Sequence, residues 1–114
     1  MTVGAEDTAR HHGTGEAEVL STPRLLQLMQ QATMDALEGQ LPEGIITAGL
    51  RINLDHLKGS EVGAFVEADA VLTRIEGRRL VFEAEATSGQ HTVGVGRIIR
   101  VQIDEKKFLA GLGQ

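Results

Sequence analysis

The clearest periodic pattern in the chain lies in residues 21–38, where apolar side chains recur at helical spacing. Successive helical residues are rotated by about 100°. The predicted apolar stripe consists of Leu25, Met29, Ala32 and Ala36, and a ridge beside it consists of Leu26, Gln30, Thr33 and Leu37. Thr22 belongs to a residue type that caps helices, and Pro23 suits the first helical position. The pattern therefore predicts one long helix with Thr22 as its N-cap.

Strand-like alternation dominates the chain after this helix, which Pro and Gly in residues 41–44 bring to an end. Alternating apolar and polar positions occupy stretches at about 46–56, 64–73, 80–87 and 92–103. In the first stretch, the even-numbered positions from Ile46 to His56 are predicted to share one face. Turn signals such as Glu76-Gly77 separate the stretches. The order predicts a four-stranded antiparallel meander with the helix against one face, an α+β arrangement.

The two ends of the chain carry weaker signals. Residues 1–15 show no clear periodicity and fit either a short edge strand followed by a loop or a mobile arm. Near the other end, Asp104 is predicted to cap a short helix that contains Phe108 and Leu109. Because no internal repeat or second composition zone interrupts the pattern, residues 1–114 are predicted to form a single domain.

The composition argues against several classes of function. The chain has 114 residues, a net charge of −5 and no cysteine, which disfavours nucleic acid or an anionic membrane as partner and excludes disulfides and thiolate metal sites. Aromatic residues make up 3%, too few for base-stacking platforms. No apolar run approaches the roughly 20 residues of a membrane span, and the first residues lack an apolar signal segment. We therefore expect a cytoplasmic protein without a metal or redox cofactor.

Small residues predominate on the faces of the strands that are predicted to point inward. They are Ala48, Ala64, Ala68, Ala70, Ala84 and Ala86. Small side chains let a helix lie close against a curved sheet. An antiparallel sheet wrapped around one long central helix predicts the hot-dog fold, in which two protomers join their sheets and acyl-thioester sites form between them.

Several short sequence elements carry a more specific signal through their order and spacing. They are residues 5–9, 19–23, 41–44, 55–57, 76–80, 94–96 with Arg100, and 107–109. With these elements the chain resembles the fluoroacetyl-CoA thioesterase-like family of hot-dog proteins over essentially its full length. The resemblance implies a thioester hydrolase that acts on a short or small acyl-CoA, as a homodimer or a tetramer.

The resemblance also implies a set of site residues. Members of the family use a threonine at the helix start, a glutamate eight residues later and a histidine at a strand end; the corresponding positions are Thr22, Gln30 and His56. A glycine close to the substrate acyl group corresponds to Gly49, and an arginine on the last strand corresponds to Arg100. Gln30 departs from the family pattern. An amide cannot act as a nucleophile or a general base.

Each of the three catalytic candidates also has a purely structural interpretation. Thr22 could serve only as an N-cap, worth about 0.5–2 kcal/mol, Gln30 as a boundary residue, and His56 as a half-buried histidine. The resemblance favours a site role for His56, whose ordinary pKa of about 6.5 suits acid–base chemistry. Because Gln30 replaces the family glutamate, the alternative function is a catalytically weak acyl-CoA-binding protein. A third possibility is a dimeric scaffold without a small ligand.

The remaining polar and glycine positions receive structural interpretations. The other histidines are predicted to be solvated rather than to bind a metal: His11, His12 and His91. Gly94 and Gly96 predict a close backbone approach or a bulge in the last strand. The fluoroacetyl-selective member of the family carries an aromatic lid residue six positions before its threonine. Because Glu16 stands there in this chain, fluoroacetyl selectivity is not expected.

Overall fold

The computed structural model describes residues 1–112 and confirms the α+β arrangement. The elements are a 3-10 turn at Ala5–Asp7, helices α1 at Ala9–His12, α2 at Thr22–Leu37 and α3 at Glu105–Leu112, and strands β1 at Ile45–His56, β2 at Glu67–Glu76, β3 at Arg79–Ser88 and β4 at His91–Asp104. Helix α2 packs against the sheet, and buried apolar side chains from both layers form the core. Within residues 1–112, no helix has the length and apolar character needed to cross a membrane.

The start of α2 differs from the prediction by one residue, and the prediction of Thr22 as N-cap is wrong. Ser21 is the N-cap, because its hydroxyl accepts a hydrogen bond from the Arg24 backbone N–H at 3.1 Å. The same hydroxyl lies 2.6 Å from Nδ1 of His12. Thr22 is therefore the first helical residue and Pro23 the second. This leaves the Thr22 side chain available for contacts outside the helix.

The buried face of α2 is also displaced from the predicted stripe. The buried residues follow an i, i+4 row and are Leu25, Met29, Thr33 and Leu37. Ala36, which was predicted to be part of the stripe, is exposed. Thr33 can occupy a buried position because its hydroxyl donates a hydrogen bond to the Gln30 carbonyl at 2.6 Å. Gln30 lies half-buried beside this row.

The strands pair antiparallel in the order β1-β4-β3-β2. The predicted meander is therefore correct for β2, β3 and β4 but wrong for β1, which pairs with β4 instead of β2. Residues 57–66 carry the chain from β1 at one edge of the sheet to β2 at the other. Alternation of apolar residues reports which face a side chain occupies, but it carries no information about which strand lies alongside.

A bulge in β1 changes which residues face the helix. The register shifts between Gly49 and Arg51, so that Gly49 pairs with Arg100 and His56 pairs with Gly94. An extra residue at a bulge reverses the alternation beyond it. The prediction that even-numbered positions of β1 share one face therefore fails before the bulge, where Ile46 is 37% and Leu50 is 49% exposed.

Two glycines of β4 allow α2 to approach the sheet closely, as their spacing predicted. A Cβ atom added to Gly94 would lie 2.9 Å from a methyl carbon of Leu25, closer than real Cβ atoms come to other atoms. At Gly96 an added Cβ would lie 3.5 Å from the terminal carbon of Met29 and 2.6 Å from the Asn53 carbonyl oxygen. The helix thus packs two of its buried side chains directly onto β4 backbone.

Both ends of the described chain are held by specific hydrogen bonds. Backbone hydrogen bonds join residues 1–3 to residues 63–66, and Val3 is 1% exposed. Both interpretations of residues 1–15 are therefore wrong: Thr2 makes one isolated bridge with Phe65 instead of an edge strand, and the segment continues into the 3-10 turn and α1 instead of a loop or a mobile arm. At the other end, the Asp104 carboxylate accepts a hydrogen bond from the Lys107 N–H at 3.1 Å, which confirms the predicted cap of α3.

Candidate active site

The structure brings Thr22 and His56 together at the start of α2. The Thr22 hydroxyl oxygen lies 2.8 Å from Nδ1 of His56, within hydrogen-bonding distance. Thr22 is in the first helical turn and His56 is the last residue of β1, where it pairs with Gly94. We call this pair the helix-start cluster. A hydroxyl in contact with an imidazole is an arrangement suited to proton transfer.

The environment of His56 favours its neutral form. Burial lowers the pKa of the His56 imidazole, and an interaction with the Lys58 backbone partly opposes that effect. The second ring nitrogen, Nε2, is buried and has no hydrogen-bond partner within residues 1–112. A buried nitrogen without a partner is costly unless it serves a function or binds a water or ligand. Thr22 therefore orients the ring through Nδ1 on its exposed side, whereas Nε2 is enclosed within this chain.

Gln30 and Gly49 form a second group of candidate residues at the bulge of β1. A Cβ atom added to Gly49 would lie 2.8 Å from Oε1 of Gln30, so the Gln30 amide occupies the space that a side chain at position 49 would need. A cavity of about 300 Å³ opens beside them and is lined by Gln30, Gly49, Leu50, Arg51 and Ile52. The glycine predicted to be near the acyl group is thus adjacent to the residue that replaces the family glutamate.

Arg100 belongs to the same group, because it pairs with Gly49 across β1 and β4. Arg100 is 4% exposed, and burial lowers the pKa of its guanidinium. Nε donates a hydrogen bond to the Thr47 hydroxyl at 2.9 Å, and Nη2 donates to the Thr47 carbonyl at 3.1 Å. The ion pairs found in residues 1–112 do not include Arg100. We call Gln30, Gly49 and Arg100 the bulge cluster.

Within one chain the two clusters lie apart. Gly49 and His56 are seven residues apart on β1, which corresponds to about 20 Å along an extended strand. Leu25 and Met29 pack onto Gly94 and Gly96 between them. The five residues predicted as one site therefore form two groups, the helix-start cluster and the bulge cluster. The two groups lie at opposite ends of the contact between α2 and the sheet.

Some contacts at the site were not predicted from the sequence. Thr47 holds the Arg100 guanidinium, and its role depends on a strand register that alternation does not report. His12 was expected to be only solvated; it is exposed but contacts the capping residue Ser21. Within residues 1–112, no group of three or more metal-ligating side chains is close enough to hold an ion.

The amino-acid sequence also matches the model of a known protein family. The model described as FlK, fluoroacetyl-CoA-specific thioesterase, matches residues 3–106. The chain belongs to the FlK family. The resemblance predicted from its short sequence elements is thereby confirmed. Among curated proteins, none matches the chain significantly.

Solved structures of FlK and of other thioesterase-like proteins share the fold of this FlK-family chain. The fluoroacetyl-CoA thioesterase FlK itself is 29% identical, with a TM-score of 0.89, over 100% of this chain and 89% of that one. A variant of FlK in complex with fluoroacetate and CoA gives a TM-score of 0.90 at 29% identity, over 100% of this chain and 94% of that one.

A third similar structure is a thioesterase-superfamily protein from Thermus thermophilus, with 26% identity and a TM-score of 0.90 over 98% of this chain and 83% of that one. A hot-dog-like protein from Thermanaerovibrio acidaminovorans has the same identity and a TM-score of 0.89 over the same shares of the two chains. These similarities confirm the predicted hot-dog fold.

Proposed function

We propose that this FlK-family chain is an acyl-CoA thioesterase that hydrolyses a short or small acyl thioester. The observation that carries the proposal is the 2.8 Å contact between the Thr22 hydroxyl and His56 Nδ1 in a chain of this family. Residues 1–114 would act as one domain, which is supported by a core that joins α2 to the strands. Structures of FlK with fluoroacetate and CoA support a CoA thioester as the ligand class.

In the proposed reaction, the neutral His56 imidazole removes a proton from a water molecule as its oxygen attacks the thioester carbonyl carbon. The C–S bond then breaks as the His56 imidazolium returns that proton to the CoA sulfur, and free CoA thiol leaves. The carboxylic acid leaves as a carboxylate and loses its remaining proton to solvent. The Thr22 hydroxyl orients the imidazole and contributes a hydrogen bond. Backbone N–H groups at Gly49 or at the helix start would stabilise the developing oxyanion. Gln30 can orient the carbonyl or the water but cannot act as the base.

We further propose that a homodimer assembles the complete site. β1 is an edge strand of 12 residues, and an unpaired edge of that length favours pairing with another strand. An antiparallel pairing of two β1 strands, centred on Asn53 and with the bulge residue Leu50 unpaired, would place Gly49 opposite His56 of the partner subunit. The bulge cluster of one chain would then lie beside the helix-start cluster of the other, which accounts for their separation within one chain.

The activity is tested by measuring thiol release from a panel of short acyl-CoA thioesters, with His56→Ala as the key variant. We expect measurable turnover in the wild type and its collapse in His56→Ala. Equal rates in the two proteins would contradict the mechanism. If acyl-CoA binds tightly but no thiol is released by the wild type, the chain is a binding protein instead. A large rate gain in Gln30→Glu would then identify the glutamine as the cause of the low hydrolytic activity.

The cross-subunit site is tested by mixing two inactive variants, His56→Ala and Gly49→Val. If the clusters meet across the dimer, random exchange of subunits restores one intact site in each mixed dimer, or about a quarter of wild-type activity. If both clusters act within one chain, every site in the mixture carries one defect and activity is not restored. His56→Ala mixed with itself provides the baseline.

A further inference from the structure

The bulge cluster contains a positive charge that the described part of the protein does not neutralise. Arg100 is 4% exposed, and its guanidinium bonds to the neutral groups of Thr47. An arginine keeps its proton in proteins even where burial lowers its pKa. Burial of a charge is costly unless an opposite charge or a full set of hydrogen bonds compensates it. No carboxylate within residues 1–112 makes an ion pair with Arg100.

Part of the guanidinium points toward the bulge of β1. Of its five N–H donors, those on Nη1 make no hydrogen bond within residues 1–112. Nη1 lies 3.9 Å from the point that a Cβ atom on Gly49 would occupy, and Oε1 of Gln30 lies 2.8 Å from the same point. Because Gly49 has no side chain, a ligand that displaced the Gln30 amide slightly could reach Nη1 there.

The cavity beside the bulge cluster is also lined by a positively charged residue. Its volume of about 300 Å³ suits a small acyl group, and its lining residues Gln30, Gly49, Leu50, Arg51 and Ile52 include one cation and no acid. A glutamate at position 30 would supply a negative charge beside Arg100. The glutamine that stands there is neutral and leaves the charge unpaired.

On the basis of the proposed thioesterase function, we infer that the bulge cluster selects an acyl group that itself carries a negative charge. The ligand class is the CoA monothioester of a short dicarboxylic acid, whose free carboxylate would accept hydrogen bonds from Arg100. Charge-assisted bonds of this kind are about twice as strong as neutral ones, and arginine matches the planar shape of a carboxylate. The substitution of glutamine for glutamate then changes substrate preference instead of only weakening catalysis.

The test compares malonyl-CoA with isovaleryl-CoA, in which an isopropyl group replaces a carboxylate of nearly the same shape. Binding is measured by calorimetry on the thioether analogues, where a methylene replaces the thioester carbonyl and prevents both hydrolysis and loss of the carboxylate. We expect the wild type to bind the malonyl analogue at least about tenfold more tightly. Gln30→Glu should abolish or reverse that preference. Gln27→Glu adds the same charge at an exposed position of α2 and should keep it.

Equal or weaker binding of the malonyl analogue by the wild type would overturn the inference, as would an unchanged preference in folded Gln30→Glu protein. Thiol release from the two true thioesters is measured separately. If neither thioester is hydrolysed but the binding preference is present, the hydrolase proposal fails and the inference stands. If both are hydrolysed with no binding preference, the inference fails and the hydrolase proposal stands.

Discussion

The Thr22 hydroxyl and Nδ1 of His56 lie 2.8 Å apart although 34 residues separate them in the chain. One residue opens the long helix and the other ends the first strand. The contact is available because the neighbouring Ser21 caps the helix. Two adjacent hydroxyl residues therefore make different contacts, one with the helix backbone and one with an imidazole, and mutation can separate them.

Thr22→Val should reduce turnover with little effect on folding. The variant removes the hydroxyl that contacts His56 but leaves the Ser21 cap in place. Misplacement of the imidazole that this hydroxyl orients is expected to cost about 10²-fold in rate. Thiol release from a short acyl-CoA measures the loss of turnover, and urea unfolding checks that stability is retained. Thr22→Ser keeps a hydroxyl and should retain much of the activity.

Ser21→Ala should have the reverse effect of Thr22→Val, with lower stability and unchanged turnover. Removing the cap leaves the Arg24 N–H without its acceptor, and the expected loss of stability is about 1–2 kcal/mol. Turnover by the folded fraction should stay near the wild-type value below the unfolding transition. If Thr22→Val instead lost the stability and Ser21→Ala lost the activity, the assignment of the two hydroxyls would be wrong.

The pH dependence of kcat/KM should report the neutral form of His56. Burial lowers the pKa of this imidazole, so the base form persists below the ordinary value of about 6.5. Activity should therefore be constant near neutrality and fall as pH decreases through a midpoint below about 6.5. The profile is measured with a thioester of N-acetylcysteamine and a neutral acyl group, because the phosphate monoester of CoA itself titrates at about pH 6. A midpoint above the ordinary value would contradict the assignment of the profile to His56. His91→Gln is the control, because His91 lies at an exposed position and its substitution should leave the profile unchanged.

Gly96→Ala should lower the stability of the fold, whereas Gly49→Ala should weaken the binding of substrate. At Gly49 the nearest atom to a new Cβ is the end of the flexible Gln30 side chain, at 2.8 Å. At Gly96 it is the Asn53 carbonyl oxygen, at 2.6 Å, which belongs to the backbone of the paired strand. Gly96→Ala should therefore destabilise the fold by about 1–3 kcal/mol. Gly49→Ala should fold well but bind substrate more weakly, because Gln30 is displaced.

Thermal unfolding and KM for a short acyl-CoA distinguish these two outcomes. The glycine substitutions are chemically identical and lie on paired strands, so each serves as the control for the other. An unchanged KM in Gly49→Ala would show that the space beside Gln30 is not used by the substrate.

The local features of the fold were predictable because they depend on neighbouring residues. The span of α2, the three consecutive hairpin strands and the Asp104 cap all follow from spacing and residue type. The glycine pair at positions 94 and 96 likewise predicted close contact between helix and sheet. The candidate site residues came from the family resemblance, since no pattern of spacing alone relates Gln30 to Arg100.

What the sequence did not predict depends on distant partners. Pairing of β1 with β4 joins segments that are far apart in the chain, and the choice between β4 and β2 as neighbour is not encoded in alternation. The bulge at Gly49–Arg51 reverses the facing of one half of β1, so a strict period of two places Leu50 on the wrong side. The choice of Ser21 over Thr22 as cap reflects burial of the serine beside His12.

Asp7→Asn should destabilise the protein more than Glu18→Gln, although each removes one carboxylate from an ion pair with arginine. Asp7 accepts hydrogen bonds from Arg24 Nε at 3.1 Å and from the Gly4 N–H at 2.8 Å, and its side chain is 14% exposed. Glu18 contacts Arg10 at the surface, where both side chains are about 70% exposed and solvent screens the pair. We expect a loss of about 1–2 kcal/mol for Asp7→Asn in urea unfolding and little change for Glu18→Gln. Equal effects would mean that the Asp7–Arg24 pair does not anchor the N-terminal segment to the start of α2.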